Sequence, residues 1–300
     1  MHCGEILVSI AVCLAFYSPC DYELPKRHLA RTLEWLAGEG VEAVLAQVVL
    51  PGQAPQPVPA GITSLVYESA DVMFYKENLW NQAAKAAVAD KLLFLDTDVV
   101  FSAADVIKQT AALLDRADVC QSFGTAVWHD RDRKIVNARR SAAFAISRGY
   151  EPNGRYYHPG FSWAMTRRAF EFMGGFYDRH ILGGGDLGMA FALDLRWVGV
   201  DLRTRNPLDA HFAASPSYGM YRMRAANLCL RVGCLEDVDA IHRWHGDSDD
   251  RQYCSRGTFL PLEPGQEYPL RYREDGLLEW TDSTASEAVQ KYFASRREDG

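Results

Sequence analysis

Leu92-Leu93-Phe94-Leu95 runs into Asp96-Thr97-Asp98, so two carboxylates two residues apart close an apolar strand. Charges at the end of a buried strand are costly unless something positive meets them. A hard divalent cation that also grips phosphate oxygens would meet both acids. The plainer reading is one acid capping the next helix and the other left in solvent.

A second constellation is rich in glycine. Gly160-Phe161-Ser162-Trp163-Ala164-Met165 leads to Arg167-Arg168, then Gly174-Gly175-Phe176, then Ile181-Leu182-Gly183-Gly184-Gly185-Asp186. Glycines let the backbone approach a ligand closely, and this run places Asp186 at a helix start. There Asp186 can act as a general base toward a hydroxyl or as an N-cap favoured by the helix dipole. With the strand acids present, we favour the base.

The third block is Ile241-His242-Arg243-Trp244-His245-Gly246, followed by Arg251 and Tyr253. Imidazoles are frequent metal ligands, so His242 or His245 could complete the shell begun by Asp96 and Asp98. Core or surface histidines are the alternative. A structural zinc held by Cys229, Cys234, His242, His245 and Cys254 is another, although that spacing matches no common finger.

These groups must be positioned by a repeating framework. The pattern predicts strands over Ile6–Phe16, Val41–Leu50, Ile62–Glu68 and Leu92–Leu95. It predicts helices over Pro25–Glu39, Asn78–Ala89 and Ser102–Asp115, the last capped by Ser102. Alternating strands and helices imply an α/β fold with a parallel, doubly wound sheet. Ligands of such sheets bind beyond the carboxyl ends of the strands, where the acid pair sits. Further on, Val119–Val127 reads as a strand. Arg167–Phe172 and Asp186–Val198 read as helices and Leu260–Tyr272 as extended. A terminal helix follows over Thr284–Arg296, with Thr284 and Glu287 at capping-box spacing.

Three hundred residues at net charge -7 exert no global pull toward nucleic acid or membrane. The charge is uneven, because residues 131–168 carry nine Lys/Arg against two acids. Seven scattered cysteines form no disulfide framework, which points to a reducing, cytoplasmic setting (host cytoplasm if viral). The apolar run 6–16 is too short to span a bilayer.

In this order the three blocks resemble those of the GT-A glycosyltransferases, in pattern the family 2 and β-1,4-galactosyltransferase groups. Asn81-Gln82-Ala83 matches their Asn-x-Ala segment, and Leu92–Asp98 their strand and DxD. Gly160–Arg168, Gly174-Gly175-Phe176 and Gly183–Asp186 match their glycine blocks, and His242 or His245 a late metal-binding His. The similarity covers about residues 5–255. It departs where Gly185-Asp186 replaces a Glu-Asp pair, and where Trp80 replaces an Arg ahead of Asn81. His-x-x-His-Gly with Arg251, and the terminal Lys291-Tyr292-Phe293 segment, also look like phage enzymes that glucosylate hydroxymethylated pyrimidines in DNA.

The resemblance implies a Rossmann-like, mostly parallel sheet flanked by helices: a GT-A catalytic domain over 1–258, with a C-terminal extension over 259–300. It implies transfer of a hexose, with inversion, from a nucleotide sugar such as UDP-glucose, assisted by Mn²⁺ or Mg²⁺. Asp96, Asp98, His242 and His245 would be the metal set. Asn81, Asp96, Thr97, Asp98, Gly184, Gly185 and Arg251 would hold the donor, and Asp186 would be the base. The basic stretch 131–168 also contains Phe144, Tyr150, Tyr156, Tyr157, His158, Phe161 and Trp163. Arginines for phosphates and aromatics for stacking form a nucleic-acid pattern. The expected acceptor groups are therefore Tyr157, His158, Gly160, Trp163, Arg139 and Arg140, with DNA as the favoured partner. A glycan or lipid-linked saccharide is the second choice, and a non-catalytic sugar-binding module the third.

Overall fold

The structure, a computed structural model, describes residues 10–150, 157–196, 215–252, 255–259, 266–282 and 284–299. The first half alternates β1 (Ile10–Phe16), α1 (Glu23–Glu39), β2 (Glu42–Val49), β3 (Ile62–Glu68), α2 (Lys76–Ala86) and β4 (Lys91–Leu95). β1, β2, β3 and β4 pair in parallel. β1 and the Leu92–Leu95 run of β4 are apolar throughout because both faces are covered, whereas the edge strand β3 carries Thr63, Ser64 and Glu68. Ala11 and Cys13 of β1, with Leu92 and Phe94 of β4, pack against Leu79, Trp80 and Ala83 of α2. Val12, Leu14, Leu93 and Leu95 face the opposite way, toward Leu29, Leu33 and Leu36 of α1.

The central sheet has the order β11-β6-β10-β4-β1-β2-β3, where β6 is Val119–Gln121, β10 Ser162–Thr166 and β11 Val232–Cys234. β10 is antiparallel to both β4 and β6. The expected mostly parallel sheet is present, with this one strand reversed. Its reversal puts residues 160–161, which enter β10, beside the exit of β4. A second sheet runs β5-β12-β7-β8-β9, with β5 Val99–Phe101, β7 Thr125–His129, β8 Ile135–Ser141, β9 Tyr157–His158 and β12 Asp239–His242.

The single strand expected over Val119–Val127 is two strands in different sheets. The chain changes sheet at Gly124, whose N–H donates to Val238 O at 2.8 Å. A Cβ on Gly124 would lie 2.2 Å from Glu236 O, so only glycine fits that crossing. α2 begins two residues before the expected Asn78 and thereby takes in Lys76 and Glu77. The helix after β5 is α3 (Val106–Leu113), and Ser102 does not cap it. The Ser102 hydroxyl instead accepts from Asp239 N at 2.9 Å, joining β5 to β12.

The remaining helices are α4 (Ala142–Ser147), α5 (Arg167–Met173), α6 (Gly185–Leu193), α7 (Pro216–Asn227) and α8 (Thr284–Ala294). β13 (Leu270–Tyr272) and β14 (Leu278–Trp280) form a ribbon. Trp280, Val289, Tyr292 and Phe293 of this C-terminal part lie in the same buried cluster as α2. Expectations on 6–9, 151–156, 197–198, 253–254 and 260–265, and on the Thr284 side chain, lie outside the described residues. Among the described residues, Cys13, Cys20, Cys120, Cys229 and Cys234 are free thiols. No described helix is long and apolar enough to cross a membrane.

Candidate active site

At the carboxyl end of β4, Asp96 N donates to Phe161 O at 3.0 Å, fastening the strand exit to the start of β10. Phe161 carries this contact at φ 76°, a left-handed backbone that a bulky residue rarely adopts. Backbone strain of this kind often accompanies functional sites. Lys76, in the first turn of α2, reaches the same point. Its Nζ lies 3.2 Å from Asp96 Oδ1, 2.7 Å from Asp186 Oδ2 and 3.9 Å from Glu77 Oε1. One ammonium thus ties the acid from β4 to the acid that opens α6.

Burial works against the charge on Lys76, but Asp186, Asp96 and Glu77 outweigh it and hold the ammonium well above its ordinary range. Burial pushes Asp96 up to about 7, opposed by Lys76 and assisted by Asp186 and Asp98. Burial likewise pushes Glu77 up to about 8, again against Lys76. Lys76 and Glu77 were not singled out in the sequence. The available signal was two opposite charges at the head of an Ala-rich helix.

Asp98 belongs to a separate cluster. His245 Nε2 lies 2.6 Å and His242 Nε2 3.3 Å from Asp98 Oδ2. β12 delivers His242 opposite Val99 of β5, and Arg243 N donates to Asp98 O at 2.7 Å. Burial opposes ionisation of Asp98, yet the two imidazoles hold its carboxyl well below the ordinary range. Burial, reinforced by Arg251, lowers His245 to about 4, which leaves the ring in the neutral form that binds metals. Arg251 Nη2 lies 2.6 Å from His245 Nε2.

Ligand atoms of Asp98, His242 and His245 all fall within 4.8 Å of one another. Asp98 Oδ1 is buried and has no hydrogen-bond partner. An orphaned carboxylate oxygen beside two imidazoles fits a cation, and a mixed oxygen and nitrogen set suits Mn²⁺ better than Mg²⁺. Asp96 is not in this cluster, because its carboxylate is engaged by Lys76. Among the described residues the cluster contains no cysteine, and Cys254 of the zinc alternative lies outside them.

Other expected site residues fall into two groups. Near the acids are Thr97, whose carbonyl accepts from Thr32 Oγ1 at 2.8 Å, and Gly184 and Gly185 at the start of α6. A Cβ on Gly185 would lie 2.2 Å from Glu77 Cδ, so the Glu77 carboxyl fills the place of a side chain at 185. Gly160 faces Asp186 and His158, and the His158 ring packs edge-on against Trp128 and Phe161, at 4.6 and 4.2 Å between centroids. Tyr157 adjoins His158 in β9 and pairs with Arg140 of β8.

The second group has structural work instead. Trp163 is fully buried, and its Nε1 donates to Pro159 O at 2.8 Å, so it offers no wall to an acceptor. Asn81 is buried and exchanges hydrogen bonds with the backbone of Phe176. Arg140 bonds Thr125 Oγ1 and lies over the Phe144 ring, while Arg139 lies 5.7 Å from the Trp128 ring. Arg167 donates to the carbonyls of Ala84, Ala87 and Ala89 and so caps the end of α2 rather than facing a phosphate.

No family model and no curated relative matches the chain. Solved structures do match. S. aureus TarS 1-349 has 14% identity over 84% of this chain and 64% of its own, with a TM-score of 0.47. TarS 1-349 in complex with UDP-GlcNAc has 14% identity over 78% of this chain and 59% of its own, at 0.45. A mutant Drosophila β-1,4-galactosyltransferase 7 in complex with manganese, UDP-Gal and xylobiose has 13% identity over 62% of this chain and 61% of its own, at 0.33. The chain therefore spans less than two thirds of the length of each.

Proposed function

We propose that this chain is a metal-dependent GT-A glycosyltransferase that moves a hexose, with inversion, from a UDP-sugar to an acceptor hydroxyl. The observation that carries the reading is the pair of adjoining clusters split by Thr97. Asp98, His242 and His245 form a cation set on one side, and Asp96, Lys76 and Asp186 form a proton-handling set on the other. A cation bound by the first set would neutralise the departing nucleoside diphosphate. Asp186 takes the proton of the acceptor hydroxyl through Oδ2. Lys76 pairs with Asp186 and keeps it in register with β4. Asp96, on the far side of that ammonium, faces the donor. Arg251 stands beside the imidazoles, where it favours an anion.

The favoured acceptor is a hydroxymethylated or already glucosylated pyrimidine in DNA of phage type. In its support, the turn between β7 and β8 exposes Arg131, Arg133 and Lys134 beside Ile135 and Val136. That ribbon leads back to Trp128, which packs on His158 at the site. An acceptor glycan or lipid-linked saccharide is the second reading. Salt separates them, because phosphate contacts make DNA binding fall steeply as salt rises.

The test is mass spectrometry of plain, hydroxymethylated and glucosylated DNA, and of saccharide acceptors, after incubation with a panel of sugar nucleotides and Mn²⁺. Asp186→Asn is expected to keep donor binding and to abolish transfer, and exhaustive chelation to remove activity. Near-normal transfer by Asp186→Asn would eliminate the assigned base.

A further inference from the structure

We propose that His158 Nε2 and Asp186 Oδ2 converge over Gly160 to form a two-point seat for one uncharged hydroxyl of the acceptor. The inference rests on the glycosyltransferase reading and names the chemical class that its acceptor site takes.

Polar atoms of two side chains close on the point where another residue at 160 would have a Cβ, so only glycine fits beneath them. That point lies 2.9 Å from His158 Nε2 and 3.2 Å from Asp186 Oδ2. His158 Nε2 and Asp186 Oδ2 thus approach one point from two sides, the arrangement that two hydrogen bonds to a single oxygen require. Asp186 Oδ2 already accepts from Lys76 at 2.7 Å, while His158 Nε2 is buried without a hydrogen-bond partner. Leaving such a group unpaired costs about 1–3 kcal/mol, a cost that a substrate contact would offset. Trp128 and Phe161 clamp the His158 ring edge-on, so its nitrogen is aimed before any ligand arrives. Burial, with Arg139 adding to it, holds the ring well below its ordinary range and therefore neutral.

The polarity of the seat selects its occupant. Asp186 accepts a proton, and a neutral imidazole with hydrogen on Nε2 donates one. A hydroxyl does both at once: its O–H donates to Asp186 and its lone pair accepts from His158. A phosphate or carboxylate only accepts, and would meet the Asp186 charge. An ammonium only donates, and would leave His158 unpaired. During transfer the oxygen forms its bond to the anomeric carbon, its proton passes to Asp186 Oδ2, and the bonding pair of the sugar–phosphate bond leaves with the nucleoside diphosphate. His158 exchanges no proton and sets the direction of the oxygen.

The test uses the full chain with UDP-glucose, Mn²⁺ and glycerol as a plain alcohol acceptor. His158→Phe keeps the ring packing and removes the nitrogen. It is expected to lower glycerol transfer about tenfold, the worth of one lost hydrogen bond, with the UDP-glucose dissociation constant unchanged within twofold. His158→Gln retains an N–H donor and is expected to recover most of the loss. Gly160→Ala sets a methyl against the His158 ring and Asp186 and is expected to block glycerol transfer without loss of donor binding. Wild-type transfer by His158→Phe, or an equal loss of donor affinity, overturns the seat while leaving the glycosyltransferase reading standing. Failure of the wild type to bind any sugar nucleotide overturns that reading and the seat with it.

Discussion

Replacing Gly185 by alanine tests how closely α2 and α6 are fitted. Gly185 opens α6, and its added Cβ would lie 2.2 Å from Glu77 Cδ and Oε1 and 2.5 Å from Cγ. Ordinary carbon contacts are about 3.5–4.0 Å, so one partner must move by more than about an ångström. Glu77 is 1% exposed and has no vacant direction at the surface. The relief therefore falls on the head of α6, which carries Asp186. Overpacking of this kind costs about 1–3 kcal/mol. A displacement of about 1 Å in a catalytic group can cost about a hundredfold in rate. Without the clash the sign reverses, because alanine is worth about 1 kcal/mol more than glycine within a helix. Gly185→Ala should thus lower both the midpoint of urea unfolding and glycosyl transfer, the latter by about a hundredfold. Glu77→Ala combined with Gly185→Ala should recover part of both losses, since the methyl then occupies the vacated space. Coupling between touching residues is about 0.5–3 kcal/mol. A more stable Gly185→Ala protein, or losses that simply add in the double variant, would refute the reasoning.

Two further outcomes follow from single residues. Glu77 has its folded pKa raised from 4.5 to about 8, so the folded state binds the extra proton between those values. Its contribution to stability is full below pH 4.5 and declines as pH rises toward 8. Glu77→Gln should flatten that decline in urea unfolding measured from pH 5 to 8, and an unchanged slope would count against a buried, protonated Glu77. Arg167→Met strands the carbonyls of Ala84, Ala87 and Ala89, and should destabilise the fold by about 2–4 kcal/mol. Transfer per folded molecule should not change, and a selective loss of acceptor binding at unchanged stability would return Arg167 to the acceptor surface.

The strand that carries the acids was legible because its run is apolar on both faces, a pattern that in this chain only a covered, mostly parallel sheet satisfies. The break after Gln121 was not legible, since Ser122-Phe123-Gly124 is no stronger a turn signal than many that stay in strand. The close approach of Glu236 to Gly124 is what turns the chain there. Trp163 and Asn81 show the limit of reading side chains by type. Both suit ligand contacts, and both are consumed by hydrogen bonds to backbone carbonyls in the core.

By itself the sequence determined which groups are available: two acids at a strand end, an acid after three glycines, and two late histidines. Residue type and local spacing suffice for that, because they set charge, ligand chemistry and the backbone freedom of glycine. Only the tertiary structure decided how the acids divide. The second sheet brings His242 and His245 to Asp98, and α2 brings Lys76 to Asp96 and Asp186. Residues 96 and 98, two positions apart, thereby acquire different environments, one beside an ammonium and one beside two imidazoles. No local pattern specifies that division, since the partners that impose it lie as far as 147 positions away in the chain.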